Sequence, residues 1–471
     1  MKLPILVVFI LFGARLFGQS VTPNIHWLDS FKLPKDDYFF HKVSRSDSGT
    51  HIEAEGKKHY YSFLVQDGKL IREMHPKAKR EYWLYQGQGA YGLRFIARKH
   101  VEKNIHQIFL KEENAKEIGV FTFKENPERP STIEIMESDS IVHVILLPSG
   151  KFNDSAQIMH AAITPRGEIS RHYYALGELS RLTEITQVHF KSDQAEFLIK
   201  SYRINKIEKR GFNRNYQCKI IRIELSNAES SSFQIPLIDS FFYPKIKYAP
   251  ELNEIYGVYG LNTGNKALGM FIVNLIDTTI IHYPFDKQTV LRSKKKIEPW
   301  KRNSIYSLHP DMVLKQGENH LYFFEQYFVK LVGGPAENPI FNFNYNHVIV
   351  ANKSVTGQVV FNVIPKYQKT FNDQGQISSY QVLNGKNSSF VVFNSGLKYQ
   401  KHPYRTYGSQ ELKYLYALSL NQIDINKVMQ IDHNPLLSAL MIFEGKGQYR
   451  VFSYRKRMLR TGLLQLNPIS P

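Results

Sequence analysis

Cysteine is almost absent from this sequence, with one residue in 471. Because Cys218 has no partner within the chain, a scaffold held together by intramolecular disulfides is excluded. The alternating pattern of Tyr216–Ile221 makes Cys218 either a buried small apolar side chain or an exposed thiol, and we predict burial because free cysteine usually packs as a small hydrophobe. Stability must therefore come from a hydrophobic core, which a chain of this length can supply.

Long apolar runs are also missing, apart from one at the N-terminus. Leu3–Phe12 is about ten residues long, half of what a bilayer-spanning helix needs. Lys2 before it and small residues after it are typical of a secretory signal peptide over 1–18, cleaved after Gly18 or alternatively after Ser20. No second run of about eighteen residues occurs, so no transmembrane segment is predicted. We expect an exported protein, periplasmic or extracellular and soluble after signal removal.

Acidic residues are in deficit, with 42 Asp and Glu against 61 Lys and Arg, and the formal charge is +19. Removing Lys2 and Arg15 with the signal leaves +17. For an exported protein this charge predicts an anionic polysaccharide, a lipopolysaccharide-like glycan or an envelope protein as partner, and no nucleic acid. The competing interpretation is that the basic side chains are dispersed over a solvated surface.

Helical patterning is scarce, whereas aromatic residues make up 13% of the chain and favour pleated sheet. Ala175–Ile185 is either a short helix or a link between strands. Gly87–Gly92 matches the glycine spacing of a dinucleotide-binding turn, but Leu93–Lys99 alternates like a strand, where that turn requires a helix. We therefore predict a glycine-rich connection there, and no cofactor for the protein as a whole.

Short strands joined by tight turns recur along the chain. The clearest set is Glu254–Leu261, Leu268–Leu275 and Thr278–Phe285, with Asn-Gly turn chemistry between the first two. Indexed on their long central strands, similar units start near residues 94, 141, 196, 254, 320, 389 and 438. An irregular period of roughly fifty residues filled by three or four strands is typical of propeller blades.

At the level of architecture the chain resembles a β-propeller, although it carries no Trp-Asp series, kelch glycine pairs or Asp-box. The resemblance implies an all-β fold of about seven blades, each a four-stranded antiparallel meander. We predict one propeller domain over 60–471 after a lead-in segment at 19–59, with the hairpin Tyr60–Met74 completing the last blade. Packed β-sandwiches or tandem barrels are the structural alternatives.

The repeat spacing stretches over 286–346, which predicts loop insertions, and loops concentrate binding residues. Two local patterns there suit recognition of an anionic glycan, because aromatic rings stack on sugars while amides and cations bind their polar groups. The candidate binding residues are the basic cluster Lys294, Lys295, Lys296, Lys301 and Arg302 around Trp300, and the alternating aromatics Phe341, Phe343 and Tyr345. The competing interpretations are a solvated charge run for the cluster and a half-buried strand, with asparagines on its wet face, for the aromatics.

Motifs of catalysis are weak. The sequence has no Gly-x-Ser-x-Gly, no His-Glu-x-x-His and no EF-hand loop, and its 17 histidines show no ligand-like pairs, so no metal site is predicted. Ser395–Lys398 has the spacing of a Ser–Lys pair, but Gly396 predicts a turn. Carboxylates for glycosidase chemistry, such as Glu254, Asp311 and Glu325, come from different segments. The leading hypothesis is a binding or scaffold module at the cell envelope; the alternative is a polysaccharide hydrolase or lyase acting in a propeller channel.

Overall fold

The structure is a computed structural model. It describes residues 21–468 except 37, 47–48, 77–80, 89–93, 101–104, 112–117, 125–130, 139–140, 149–156, 165–167, 176–180, 192, 204–215, 228, 239–240, 262–265, 294–303, 335–339, 372–376, 386–388, 422, 438–439 and 446. The chain folds as two compact units. The first comprises the described residues of 1–75, 327–348 and 362–471, and the second those of 76–326 and 349–361.

Nearly all regular structure in the described ranges is β-strand. One six-residue helix is described, α1 (Lys287–Arg292), and its N-cap Asp286 accepts a hydrogen bond from the Thr289 amide at 2.7 Å. No helix in these ranges is long and apolar enough to cross a bilayer. The strands are β1 (Val21–Lys32), β2 (Phe39–Ser46), β3 (Gly49–Glu55), β4 (His59–Gln66), β5 (Lys69–Pro76), β6 (Glu81–Gln88), β7 (Arg94–His100), β8 (Ile105–Lys111), β9 (Ile118–Lys124), β10 (Ser131–Ser138), β11 (Ile141–Pro148), β12 (Gln157–Ile163), β13 (Ile169–Ala175), β14 (Arg181–Lys191), β15 (Gln194–Arg203), β16 (Tyr216–Glu224), β17 (Ser230–Ile235), β18 (Phe242–Ala249), β19 (Glu254–Gly260), β20 (Lys266–Ala267), β21 (Gly269–Asn274), β22 (Ile280–Pro284), β23 (Ile305–Tyr306), β24 (Leu308–Gln316), β25 (Asn319–Gly333), β26 (Ile340–Lys353), β27 (Val359–Phe371), β28 (Gln381–Asn384), β29 (Ser389–Ser395), β30 (Tyr407–Gly408), β31 (Tyr414–Ser419), β32 (Met429–Asp432), β33 (Met441–Gly445), β34 (Gln448–Arg455) and β35 (Met458–Pro468).

The strands form antiparallel meanders, which confirms the predicted fold class: all-β, built from the four-stranded blades of a β-propeller. Among the described residues, eight sheets have four or five strands. Their strand orders are β2-β3-β4-β5, β6-β7-β8-β9, β10-β11-β12-β13, β14-β15-β16-β17, β18-β19-β21-β22, β24-β25-β26-β27-β30, β28-β29-β31-β32 and β1-β35-β34-β33.

The sheet that completes the first unit differs from the predicted one. The hairpin over Tyr60–Met74, β4 and β5, belongs with β2 and β3 to a blade of its own, so its assignment to the last blade is wrong. Instead β1 is the outer strand of that last blade, paired with β35 from Val21↔Pro468 to Lys32↔Met458. The expected lead-in segment at 19–59 thus contains β1, β2 and β3.

Apolar cores lie between successive sheets in each unit. In the first unit, Phe40, Phe63 and Phe452 are almost completely buried in a core shared by the sheets of β2–β5 and β33–β35. In the second unit, Ile158 and Phe197 belong to a core shared by the sheets of β10–β13 and β14–β17. Each such side chain contributes about 1.5–3 kcal/mol by leaving water. Face-to-face packing of neighbouring meanders therefore supplies the core that the missing disulfides do not.

Three local predictions can be compared with this fold. Cys218 is fully buried in a second core of the second unit, as predicted. Residues 181–185 lie in strand β14, so the helical interpretation of Ala175–Ile185 is wrong for that part. Gly87 lies in strand β6 and residues 89–93 lie outside the described residues, but β7 begins at Arg94, which confirms that a strand, not a helix, follows the glycines.

Candidate functional site

The basic cluster predicted to bind an anion lies outside the described residues. Lys294, Lys295, Lys296, Trp300, Lys301 and Arg302 all fall within 294–303. The described chain approaches this segment through α1, which ends at Arg292. Their role as a binding patch therefore stays a prediction.

The predicted aromatic series lies in strand β26, and its members differ in exposure. Phe341 is 37% exposed, Phe343 is half-buried and Tyr345 is buried. The Tyr345 ring stacks on Tyr327 with centroids 5.5 Å apart. Asn342 is also buried, so the asparagines do not simply form a wet face. Of the three rings, that of Phe341 offers the most surface to a ligand.

Exposed apolar side chains gather around Phe341 because of the sheet topology. β25 and β26 are neighbours in one sheet, so the end of the first and the start of the second lie at the same end of it. Exposed apolar side chains concentrated at one end of a sheet are typical of interaction sites in proteins. We call this set the hairpin surface: Val329, Lys330, Leu331, Val332, Ile340 and Phe341.

A basic loop in the first unit was not singled out as a binding site from sequence. It joins β29 to β30, and its side chains line a surface hollow of about 490 Å³. Ser395 is buried and a turn follows it, which confirms the turn predicted at Gly396. The local signal was four basic residues in eight, and the lining residues are Lys398, Lys401, His402, Pro403, Tyr404 and Arg405.

A cavity of about 380 Å³ in the second unit is lined by histidines. His143 Nδ1 and His160 Nε2 are 3.0 Å apart, and both rings are buried. His160 Nδ1 has no hydrogen-bond partner among the described residues. Burial lowers the pKa of His160 to about 4, helped by the nearby His143 and His172.

The rest of that lining mixes apolar side chains, such as Ile141 and Leu225, with polar ones. Its carboxylates, Glu168 and Asp193, are exposed, as is His172. Neutral histidine beside carboxylates can accept or donate a proton. In the described part of the chain, no three His, Cys, Asp or Glu side chains are placed to hold a metal ion together. The strands carrying these histidines look like ordinary half-buried strands in the sequence, so the cavity had no local signal.

The candidate glycosidase carboxylates have different partners. Glu254 is buried, accepts a hydrogen bond from the Tyr322 hydroxyl and lies 3.1 Å from Lys353 Nζ. Asp311 is exposed and lies 3.9 Å from Lys247 Nζ. The ion pair and the hydrogen bond offset the cost of burying the Glu254 carboxylate.

No family model and no curated protein matches the sequence. Among solved structures, the chain is similar to the WD40 domain of SCAP from fission yeast, with 8% identity, a TM-score of 0.44, and 94% of this chain and 98% of that chain covered. It is also similar to the β-propeller domain of the Trilobed protease from Pyrococcus furiosus, with 8% identity, a TM-score of 0.37, and 84% and 96% covered. An uncharacterised Listeria monocytogenes protein gives 10% identity, a TM-score of 0.37, and 84% and 97% covered. These likenesses assign no activity to the chain.

Proposed function

We propose that the protein is an exported binding module of the β-propeller class that recognises an anionic glycan at the cell envelope. The observation that carries the proposal is the hairpin surface, which exposes Phe341 and several aliphatic side chains at the end of β25 and the start of β26. Propeller folds serve as binding or scaffold modules in general, with binding residues in their loops. The anionic glycan as partner and the cell envelope as the protein's location are both part of this proposal.

The charge of the chain supports an anionic ligand. The formal charge of +19 raises the local concentration of anions around the protein. Lys330 lies on the hairpin surface with its Nζ 5.2 Å from the centroid of the Phe328 ring. An aromatic ring such as that of Phe341 can stack on the apolar face of a sugar while lysines bind its anionic groups.

The test is binding of polygalacturonate, with neutral dextran as the control ligand. Replacing Lys294, Lys295, Lys296, Lys301 and Arg302 by Gln should abolish most of the binding at 0.1 M salt. Binding by the unmodified protein should fade toward 1 M salt, because the Debye length falls from about 10 Å to about 3 Å. If these charges lie on the surface, as the proposal requires, the melting temperature should stay nearly constant, since exposed charges contribute little to folding.

Matched variants make this test specific. A control with Gln at five exposed lysines elsewhere, Lys32, Lys35, Lys58, Lys69 and Lys456, has the same net charge and should keep its affinity. Phe341→Ala should weaken binding at both salt concentrations, whereas Phe443→Ala, which removes another exposed ring, should not. Equal loss in both five-fold variants would reduce the effect to net charge and contradict the proposed site.

A second candidate function rests on the histidine cavity. A polysaccharide hydrolase or lyase needs a base beside its substrate, and the neutral imidazole of His160, in a cavity that two carboxylates also line, is the candidate. Release of reducing ends from polygalacturonate, lost on His160→Ala, would favour this enzyme. Binding without any turnover would favour the module.

A further inference from the structure

The basic loop between β29 and β30 is anchored from within. Tyr399 is fully buried, and its hydroxyl donates to the Pro365 carbonyl. The Tyr416 hydroxyl donates to the Gly396 carbonyl at 2.8 Å, and the Tyr407 hydroxyl donates to the His402 carbonyl at 3.0 Å. Three tyrosines thus fix the loop backbone before any ligand arrives.

Close packing of the backbone adds to this rigidity. A Cβ on Gly396 would lie 2.2 Å from the Tyr407 ring, so the close approach of ring and backbone requires glycine there. The amide of His402 donates to the Lys398 carbonyl at 2.9 Å, and that of Arg405 donates to the His402 carbonyl at 3.1 Å. These turns use the loop's own polar backbone groups and leave its long side chains exposed.

The exposed cations of this loop differ in how they are compensated. Arg405 pairs with Glu411 at 2.6 Å and lies over the Tyr407 ring. Lys398 and Lys401 have no ion pair within the part of the chain that the structure describes, and both line the same hollow. Like charges held close together repel each other, so a bound anion would relieve an unfavourable interaction.

The side chains that line the hollow indicate which class of anionic ligand it would bind. Arg405 already donates from Nη2 to Glu411, which compensates its charge and occupies part of the planar fork that would bind a carboxylate in bidentate fashion. Lysine ammonium groups act as point charges that suit a tetrahedral phosphate. Tyr404 is 40% exposed in the same hollow and offers an aromatic face beside the cations.

We propose that this loop binds a phosphate group carried on a sugar ring, with the phosphate on Lys398, Lys401 and His402 and the ring against Tyr404. The ligand class rests on the proposed recognition of anionic glycans, but the site shares no residue with the 286–346 region. The two proposals can therefore fail independently.

The experiment is calorimetric titration of the full chain with glucose 6-phosphate, inorganic phosphate and glucose at 0.1 M salt. Lys398→Gln/Lys401→Gln should weaken the affinity for glucose 6-phosphate about tenfold or more, since each lost charge-assisted hydrogen bond is significant. The control Lys58→Gln/Lys69→Gln changes the net charge equally and should bind like the unmodified protein. Tyr404→Ala should weaken binding of glucose 6-phosphate but not of inorganic phosphate, and all variants should keep their melting temperature.

Three outcomes would overturn the inference. The first is no binding of glucose 6-phosphate, and the second is binding by the Lys398/Lys401 double variant as tight as by the unmodified protein. The third is equal affinity for inorganic phosphate and glucose 6-phosphate together with no effect of Tyr404→Ala. The variant lacking the charges at 294–302 should still bind glucose 6-phosphate. If it does, while polygalacturonate binds neither to it nor to the unmodified protein, the loop site stands and the proposed function fails. If polygalacturonate binds as proposed and glucose 6-phosphate does not bind, the reverse holds.

Discussion

At the scale of single residues, two buried histidines tie the stability of the fold to pH. His347 is fully buried, and neither ring nitrogen has a hydrogen-bond partner among the described residues. Burial, followed by the charge of Lys366, lowers the pKa of His347 to about 3. His160 is shifted in the same direction, to about 4. Both are therefore neutral in the folded protein at pH values where an unfolded histidine is charged.

We predict that the free energy of unfolding falls as the pH drops from about 6.5 toward 4. Below an unfolded-state pKa of about 6.5 the unfolded chain binds protons that the folded chain does not, at about 1.4 kcal/mol per pH unit for each histidine. His347→Leu removes one of these groups and should flatten the pH dependence in urea unfolding. His402 is exposed, and His402→Leu serves as the control. If the unfolding free energy of His347→Leu depended on pH as steeply as that of the unmodified protein, His347 would not be a source of the pH dependence.

Cys218 gives a second prediction at this scale. Burial raises the pKa of its thiol to about 12, so the thiolate form is scarce near neutral pH. The thiol should not react with a chromogenic disulfide reagent at pH 8 until the protein unfolds, and reductant should not change the melting temperature. Cys218→Ser should cost about 1–3 kcal/mol because it buries a hydroxyl, while Cys218→Ala measures packing alone. Rapid reaction in the native state would contradict the burial.

At the scale of elements, β1 is a strand from the start of the chain that completes the last sheet. It pairs with β35 along nearly its whole length, and its Trp27 donates from Nε1 to Asp432 at 3.0 Å. Cleavage after Gly18 or after Ser20 would leave this strand intact, and the second gives a chain that starts at Val21. A chain that starts at Leu33 exposes the whole edge of β35.

We predict that the chain starting at Leu33 melts at least 10 °C below the chain starting at Val21, or aggregates, because a broken ladder of this length costs several kcal/mol. Circular dichroism melts of the two chains are the measurement. Equal melting temperatures would mean that β1 is dispensable for the last sheet.

The elements also show what sequence patterns can and cannot reveal. Apolar alternation located the central strands of most meanders, and tight-turn residues located their ends. The first blade was missed because the buried face of β3 is Thr50, Ile52 and Ala54, only one of which is a large apolar residue. The pairing of β1 with β35 joins opposite ends of the chain, and no local pattern encodes such a contact.

The candidate sites were predictable to a smaller extent. Exposure of Phe341 follows from its place at the start of a long strand, which the aromatic alternation indicated, but the stacking of Tyr345 on Tyr327 depends on the neighbouring strand. The basic residues of the loop after Ser395 are visible in the sequence. Their arrangement around one hollow depends on hydrogen bonds that local sequence does not reveal. The Tyr399 hydroxyl donates to the Pro365 carbonyl on a preceding strand, and the Tyr407 hydroxyl donates to the His402 carbonyl within the loop.

At the scale of the whole molecule, a positively charged all-β scaffold exposes the apolar hairpin surface, and we propose that both contribute to glycan binding. Export would place this charge where anionic glycans are the abundant partners. If the protein is exported, material recovered from the envelope or the medium should begin at Gln19 or Val21. An intact Met1 on that material would contradict signal cleavage.

Amide hydrogen exchange with and without saturating polygalacturonate tests glycan binding at 286–346 most directly. If the glycan binds there, exchange should slow in 286–346, most strongly around 294–303 and at the start of β26. In the variant lacking the five charges at 294–302, polygalacturonate should leave exchange unchanged. Protection confined to β11–β13 would place the ligand at the histidine cavity, and protection nowhere would mean that no glycan is bound. Either result would contradict glycan binding at 286–346.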